Sequence, residues 1–128
     1  DVMMVGFNML NPSARNRVFA QTREQGIGTL VMFAVRKALS DMTAFRELLD
    51  GLIEDGLVDQ DKLNMSDPLC FLLTDDDASS VINAAYRFCR HEPGADVVLS
   101  GTGSIKHLLE NISSISQPPI SKTSSERL

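Results

Sequence analysis

The sequence predicts an α/β fold with parallel strands, and three observations support this prediction. Short apolar segments alternate along residues 1–115 with longer amphipathic segments, which is the order of strands and helices in β-α-β units. The first two apolar segments lack the alternation of a half-solvated strand, and unbroken apolar runs are typical of parallel strands covered on both faces. Glycine, asparagine, aspartate or serine stands at most of the boundaries.

The first unit begins with an apolar strand over residues 2–7, followed by a turn from Asn8 to Asn11. Asn11 is a typical helix N-cap, and Pro12 fits the first helical position because proline lacks the N–H that would be unpaired there. An amphipathic helix follows and ends at Gly26, a typical C-cap residue. The apolar strand residues begin at position 2, so we expect the chain to start inside a larger fold.

The second unit contains a strand over residues 29–34 and a helix that Asp41 caps. Apolar residues at helical spacing extend this helix to about Asp55, and Gly56 terminates it. Residues 57–74 show little periodicity, so the sequence predicts a long loop there, of a kind that is often functional.

The third unit begins with the acidic run Asp75 to Asp77, which we interpret as the solvated start of a helix capped by Asp77. Residues 92–94 stop this helix, and residues 97–99 form a short strand. Ser104 caps a last helix, whose apolar stripe is the clearest in the chain. The stripe comprises Ile105, Leu108, Leu109, Ile112 and Ile115. Residues 116–128 are rich in serine and proline, and we interpret them as a polar C-terminal tail.

Composition excludes several classes of protein. The chain has 128 residues, 43% of them hydrophobic, and a formal net charge of −5, which fits one modest folded domain and not a disordered chain. Binding to nucleic acid requires clustered Lys and Arg, and the longest basic run is Arg36-Lys37, so no nucleic-acid partner is expected. No apolar stretch is long enough to span a membrane, and no signal-peptide pattern is present.

The two cysteines predict a reducing compartment. Cys70 and Cys89 both stand among apolar residues, as small buried hydrophobes do. Neither has a histidine or a third thiol at metal-ligand spacing. We therefore expect free thiols, no metal and a cytoplasmic location.

The segment Gly101-Thr102-Gly103-Ser104 is the most informative motif. Two glycines after a strand let the backbone approach an anion, and the helix that begins at Ser104 offers free N–H groups and a positive dipole end. The motif lacks the third glycine of a dinucleotide fingerprint and the lysine of a P-loop. Since Gly-x-Gly also occurs in ordinary strand-to-helix turns, phosphate binding and a plain turn both remain open.

Three parallel strands are compatible with two architectures, a small open sheet or a piece of a (β/α)₈ barrel. Three strands cannot close a barrel, and they leave two unpaired edges and an apolar face with little to cover it. The chain is therefore short of strands for an independent domain of either kind.

Residues 96–115 resemble the last strand, phosphate loop and helix of the aldo/keto reductases. The resemblance extends, in the order of the family, over residues 5–12, 28–34 and 84–88. It implies that residues 1–115 are the C-terminal portion of a reductase, about strands six to eight of a partial (β/α)₈ TIM barrel with their helices.

The resemblance also implies a cofactor site for NADP, with NAD as a second possibility. It places Phe33 against the nicotinamide, Gly101, Thr102, Gly103 and Ser104 around the adenosine 2′-phosphate and ribose, and Glu110 and Asn111 against the adenine. His107 stands where many members have an arginine on the 2′-phosphate. Phe33 is also compatible with ordinary strand core, and both His107 and the adjacent Lys106 with a solvated helix surface. Met3 replaces the glutamine that many members place near the carboxamide.

The same resemblance implies that this chain lacks the catalytic residues of the family. The family transfers hydride to a small-molecule carbonyl substrate, or from an alcohol, with a tyrosine acid supported by lysine, aspartate and histidine from earlier strands. Tyr86 lies in a predicted helix and matches none of these, and His91 lies at a helix end, where it suits the helix dipole. No catalytic residue is therefore assigned, and the chain alone is expected to be inactive without an N-terminal half as its partner. The alternative is a small non-catalytic α/β module that binds a phosphorylated ligand at Gly101–Ser104.

Overall fold

The computed structural model describes the backbone of residues 1–128 and the side chains of all of them except Asp75 and Asp76. Its α/β architecture confirms the predicted fold class at that level. The strands form one parallel sheet in the order β1 (Val2–Gly6), β2 (Gly28–Met32), β3 (Val97–Val98). The helices are α1 (Ala20–Glu24, after a π-helical turn over Arg15–Phe19), α2 (Lys37–Ser40), α3 (Met42–Glu54), α4 (Val81–Arg90), α5 (Ile105–Ile115) and α6 (Lys122–Glu126), and two 3₁₀ turns cover Gln60–Lys62 and Cys70–Asp76.

The sheet is covered on one face only. Its register places Val5, Val31 and Val98 side by side, and this row lies on the packed face, with Val31 fully buried. The neighbouring row on the opposite face includes Met4 and Val97, which are 56% and 47% exposed. The expectation that the strands are covered on both faces is therefore wrong for this chain, because the side chains of Met4 and Val97 on the second face are largely exposed.

Phe7 lies at the centre of the core, just after β1. Its ring stacks on Phe88 of α4 at a centroid distance of 5.4 Å and meets Phe19 edge-on at 5.1 Å. Arg15 lies over the Phe88 ring and forms a two-bond ion pair with the buried Glu92, at 2.8 and 2.6 Å. The aromatic contacts and the charge-assisted hydrogen bonds between Arg15 and Glu92 together hold the segment before α1 against α4.

Helix α3 follows the sequence prediction. The Asp41 carboxylate accepts hydrogen bonds from the N–H groups of Thr43 and Ala44, as an N-cap does. Gly56, with φ +70°, lies in the left-handed region that ends helices without strain. The cap, the stripe and the terminator are all local signals, which explains the agreement.

Helix α4 begins later than predicted, and Asp77 does not cap it. Ser80 is the N-cap and accepts from the N–H of Asn83 at 3.0 Å. The carboxylate of Asp77 instead accepts from the backbone N–H of Ser121 at 2.9 Å and lies 3.5 Å from the Arg87 guanidinium. The prediction of a solvated acidic run is therefore wrong at Asp77. The side chains of Asp75 and Asp76 lie outside the described part of the structure.

The C-terminal segment, residues 116–128, packs on the body of the protein. Arg87, only 6% exposed, donates to the backbone carbonyls of Pro118 and Pro119 at 2.7 and 3.0 Å. Ile120 is buried, and the guanidinium of Arg127 lies 4.3 Å from the Phe71 ring centroid. The predicted tail thus includes a short helix, α6, and the buried arginine binds the backbone just before it.

Candidate functional site

The carboxyl ends of the three parallel strands lie at the same edge of the sheet, and the candidate site is there. Phe33 follows β2 directly, with a φ of +65° that is uncommon for an aromatic residue. Its ring is 57% exposed, and its Cδ2 would lie 3.6 Å from a Cβ placed on Gly6, at the end of β1. The ring therefore lies largely exposed at the sheet edge, beside the Arg36 guanidinium at 5.6 Å, where a planar ligand can stack on it. Ordinary strand core does not describe this residue.

The loop after β3 carries the predicted phosphate motif. Ser104 caps α5 and accepts from the N–H of His107 at 3.4 Å, and Thr102 Oγ1 accepts from the N–H of Ser104 at 3.1 Å. No heavy atom outside the adjoining residues lies within 4 Å of a Cβ placed on Gly101 or Gly103. The loop thus leaves space beside its backbone and a helix start that favours negative charge.

A groove of about 320 Å³ joins this loop to the helices behind it. Among the predicted cofactor residues, it is lined by Gly101, Thr102, His107, Glu110 and Asn111. Tyr86 and Ser40 also line it. The structure therefore brings the loop together with α5, whereas Phe33 lies farther along the same sheet edge, outside this groove.

Two buried side chains hold the residue before the loop. Ser100 Oγ accepts from Asn111 Nδ2 at 2.9 Å and lies 3.1 Å from the Tyr86 hydroxyl. Asn111 and Tyr86 are 8% and 6% exposed, so both act from inside the protein. Sequence reasoning missed this role of Tyr86, because the contact joins a helix to a loop fourteen residues later and no local pattern indicates it.

The charges around the loop are few and exposed. Lys106 lies 3.8 Å from Glu110 one helical turn later, and both side chains are largely in water. Such pairs are weak and are screened by salt, so the ammonium stays available to an anion. His107 is exposed beside it. The open glycine positions, the helix start and these two basic side chains fit a phosphate group.

The remaining predicted features have structural partners. His91 is the C-cap of α4, and its Nε2 lies 2.8 Å from the backbone oxygen of Gln117. Cys89 is fully buried, and burial, followed by the nearby Glu92 charge, raises its pKa to about 12. Cys70 is half-buried, and both thiols are free.

Within the part of the chain that the structure describes, no group of three or more His, Cys, Asp and Glu side chains is arranged to hold a metal ion. None of its described helices combines the length and apolarity needed to cross a membrane. Comparison with protein families gave no matching family model, and comparison with curated proteins gave no match.

Proposed function

We propose that this chain is the C-terminal, cofactor-binding portion of an NADP-dependent aldo/keto reductase. The observation that supports this most is the common edge of the parallel sheet, where Phe33 and the Gly101–Ser104 loop both lie. Parallel α/β folds bind their ligands at this edge. The enzyme would reduce carbonyl groups, or oxidise alcohols, by hydride transfer.

In this proposal the loop and α5 bind the adenosine end of the cofactor. The N–H groups at the start of α5, with Lys106 and His107, hold the 2′-phosphate, and Phe33 provides a stacking surface for the nicotinamide. Glu110 and Asn111 face the adenine. When bound, the reduced nicotinamide supplies the hydride. Tyr86 and Asn111 position the loop through Ser100.

The uncovered apolar surfaces support a partner that completes a (β/α)₈ barrel. Both outer strands, β1 and β3, have an unpaired edge, and the face that carries Met4 and Val97 lacks cover among the described residues. Exposed strand edges and large apolar patches mark surfaces that pair with further structure. The proposed partner is the N-terminal half of the barrel, which would carry the acid and base residues.

An assay of NADPH consumption distinguishes a C-terminal portion from a complete enzyme. The 128-residue chain alone, mixed with NADPH and a generic aldehyde, should consume NADPH no faster than a protein-free control. Mixing it with a candidate N-terminal half should restore turnover. Consumption of NADPH by the chain alone would contradict the proposal, as would a half-barrel complex that forms without gaining activity.

Ligand binding tests the phosphate site without the partner. Adenosine 2′,5′-bisphosphate, observed by saturation-transfer NMR, should bind more tightly than adenosine 5′-monophosphate, because only the first carries the 2′-phosphate. Gly101→Val fills the open space beside the loop and should weaken binding at least about tenfold. Gly51→Ala adds a methyl group at an equally open position of α3 and should leave binding unchanged. Equal binding to both nucleotides would refute the 2′-phosphate assignment.

One observation favours a second candidate, a stand-alone α/β module that binds a phosphorylated ligand without chemistry. Among the described side chains, no enclosed nitrogen or oxygen atom lacks a hydrogen-bond partner, as in a self-sufficient domain. A monomer in sedimentation velocity with one cooperative urea transition supports the module. The barrel portion is supported instead if the chain self-associates and the double substitution Ile105→Glu and Leu109→Glu abolishes this association. Both residues are exposed on α5.

A further inference from the structure

A second groove, of about 450 Å³, lies at the same sheet edge between the turn after β1 and helices α2 and α3. We call it the amide groove, because Asn8 and Asn11 both line it. It shares no lining residue with the groove beside Gly101. Its volume is in the range of small-molecule sites.

Asn8 gives this groove a side-chain amide. Its Oδ1 accepts from the N–H groups of Leu10 and Asn11, both at 3.0 Å, which fixes the orientation of the amide and directs Nδ2 away from the turn. No hydrogen bond among the described residues uses Nδ2, although the residue is only 3% exposed. Asn8 is one of the residues that line the groove, and its amide N–H groups are the donors that it brings there.

The charge around this donor is positive. Arg36 and Lys37 line the groove, and no aspartate or glutamate is among its described lining residues. This contrasts with the net charge of −5 of the whole chain. The Arg36 guanidinium lies 5.6 Å from the Phe33 ring, and Lys37 is 4.0 Å from Asp41 in an exposed, weak pair. Both cations therefore remain available to an anion.

The other walls are apolar and come from Leu10, Ala38, Ala44 and Leu48. We propose that the amide groove binds a small carboxylate with a short branched aliphatic body. Asn8 Nδ2 would donate to one carboxylate oxygen, Arg36 and Lys37 would neutralise the charge, and the apolar walls would contact the body. Hydrogen bonds to a charged acceptor are about twice as strong as neutral ones, so the carboxylate is favoured over its amide. The inference depends on this groove alone and not on the proposed reductase function.

Saturation-transfer NMR with 4-methylpentanoate tests the proposal, and it works for monomers and oligomers alike. The carboxylate should bind the 128-residue chain, and 4-methylpentanamide, its neutral isostere, should bind at least about tenfold more weakly. Equal binding of the acid and the amide would overturn the proposal.

Two variants locate the binding. Asn8→Asp keeps the oxygen that accepts both turn hydrogen bonds and replaces the donor by a negative oxygen, so binding should be lost while the circular dichroism spectrum stays native. Lys37→Gln should weaken binding about two- to fivefold, whereas Lys62→Gln, an equally exposed lysine of a distant turn, should not. Unchanged binding in Asn8→Asp, or equal loss in both lysine variants, would show that the site is elsewhere.

Discussion

Removing the guanidinium of Arg87 should destabilise the protein and release its C-terminal segment. The side chain is 7% exposed and donates to the carbonyls of Pro118 and Pro119, to Asn83 Oδ1 and to Asp77. Arg87→Met keeps much of the apolar stem but removes the donor from these acceptors. Breaking one side of a buried ion pair costs about 3–5 kcal/mol, and an acceptor that loses its donor adds to this cost where water does not reach it. Since these costs overlap, we expect a loss of about 3–5 kcal/mol.

This loss is a large fraction of the total stability of about 5–15 kcal/mol that is usual for a single domain. Urea denaturation measures it, and native-state hydrogen exchange should show faster exchange over residues 120–127 than in the wild type. Arg90→Met is the matched control, since Arg90 ends the same helix but is exposed, and it should change stability by less than about 0.5 kcal/mol. If Arg87→Met lowers the free energy of unfolding by less than about 1 kcal/mol, or leaves hydrogen exchange of the C-terminal segment unchanged, Arg87 does not hold that segment.

Three further predictions follow from single residues. Gly94 has φ +97° and a Cβ placed there would lie 2.8 Å from a side-chain carbon of Phe19, so Gly94→Ala should cost about 2–4 kcal/mol in urea denaturation. A denaturation midpoint equal to the wild type would contradict this. Burial alone would raise the pKa of Asp77, but hydrogen bonds from the segment after α5 and the Arg87 charge lower it overall, so the carboxylate stabilises the fold above its unfolded pKa. The wild type should lose this stability below about pH 4, as the group protonates, and Asp77→Asn should flatten that acid limb. Iodoacetamide at pH 8 should alkylate Cys89 at least about 100-fold more slowly than the half-buried Cys70, because burial keeps Cys89 protonated; comparable rates, read by mass spectrometry, would count against it.

Local signals predicted the three strands and the longer helices α3, α4 and α5, and a contact distant in sequence accounts for the failure at Asp77. Asp41 caps α3 as expected because its acceptors are the N–H groups two and three residues ahead. Asp77 has the same residue type before a helix, yet its carboxylate meets Ser121, 44 residues later in the chain. Ser80, nearer to the helix start, caps α4 in its place. A cap can be read from local sequence only where no distant partner competes for the same carboxylate.

In the candidate site, too, local features were predictable and contacts distant in sequence were not. The sequence placed Phe33 and the Gly101 loop at strand ends, and parallel strands bring such ends to one edge. It did not predict that Tyr86 holds the loop through Ser100, or that Phe33 adopts a left-handed backbone conformation. Both depend on how a helix or strand end is seated in three dimensions, which residue spacing does not encode.

Helix α5 shows what an apolar stripe does and does not determine. The helix forms where predicted, yet its polar side faces the protein, with Ser114 Oγ 3.1 Å from Asn83 of α4. Its apolar side faces outward, and Ile105 and Leu109 are 78% and 63% exposed. Amphipathic periodicity predicts a helix that needs cover on one side, because exposed apolar area is unfavourable by about 25 cal/mol per Å². It does not say which molecule provides the cover. In the proposed reductase this role falls to the rest of the barrel, and α5 is then the helix that joins the cofactor loop to that partner.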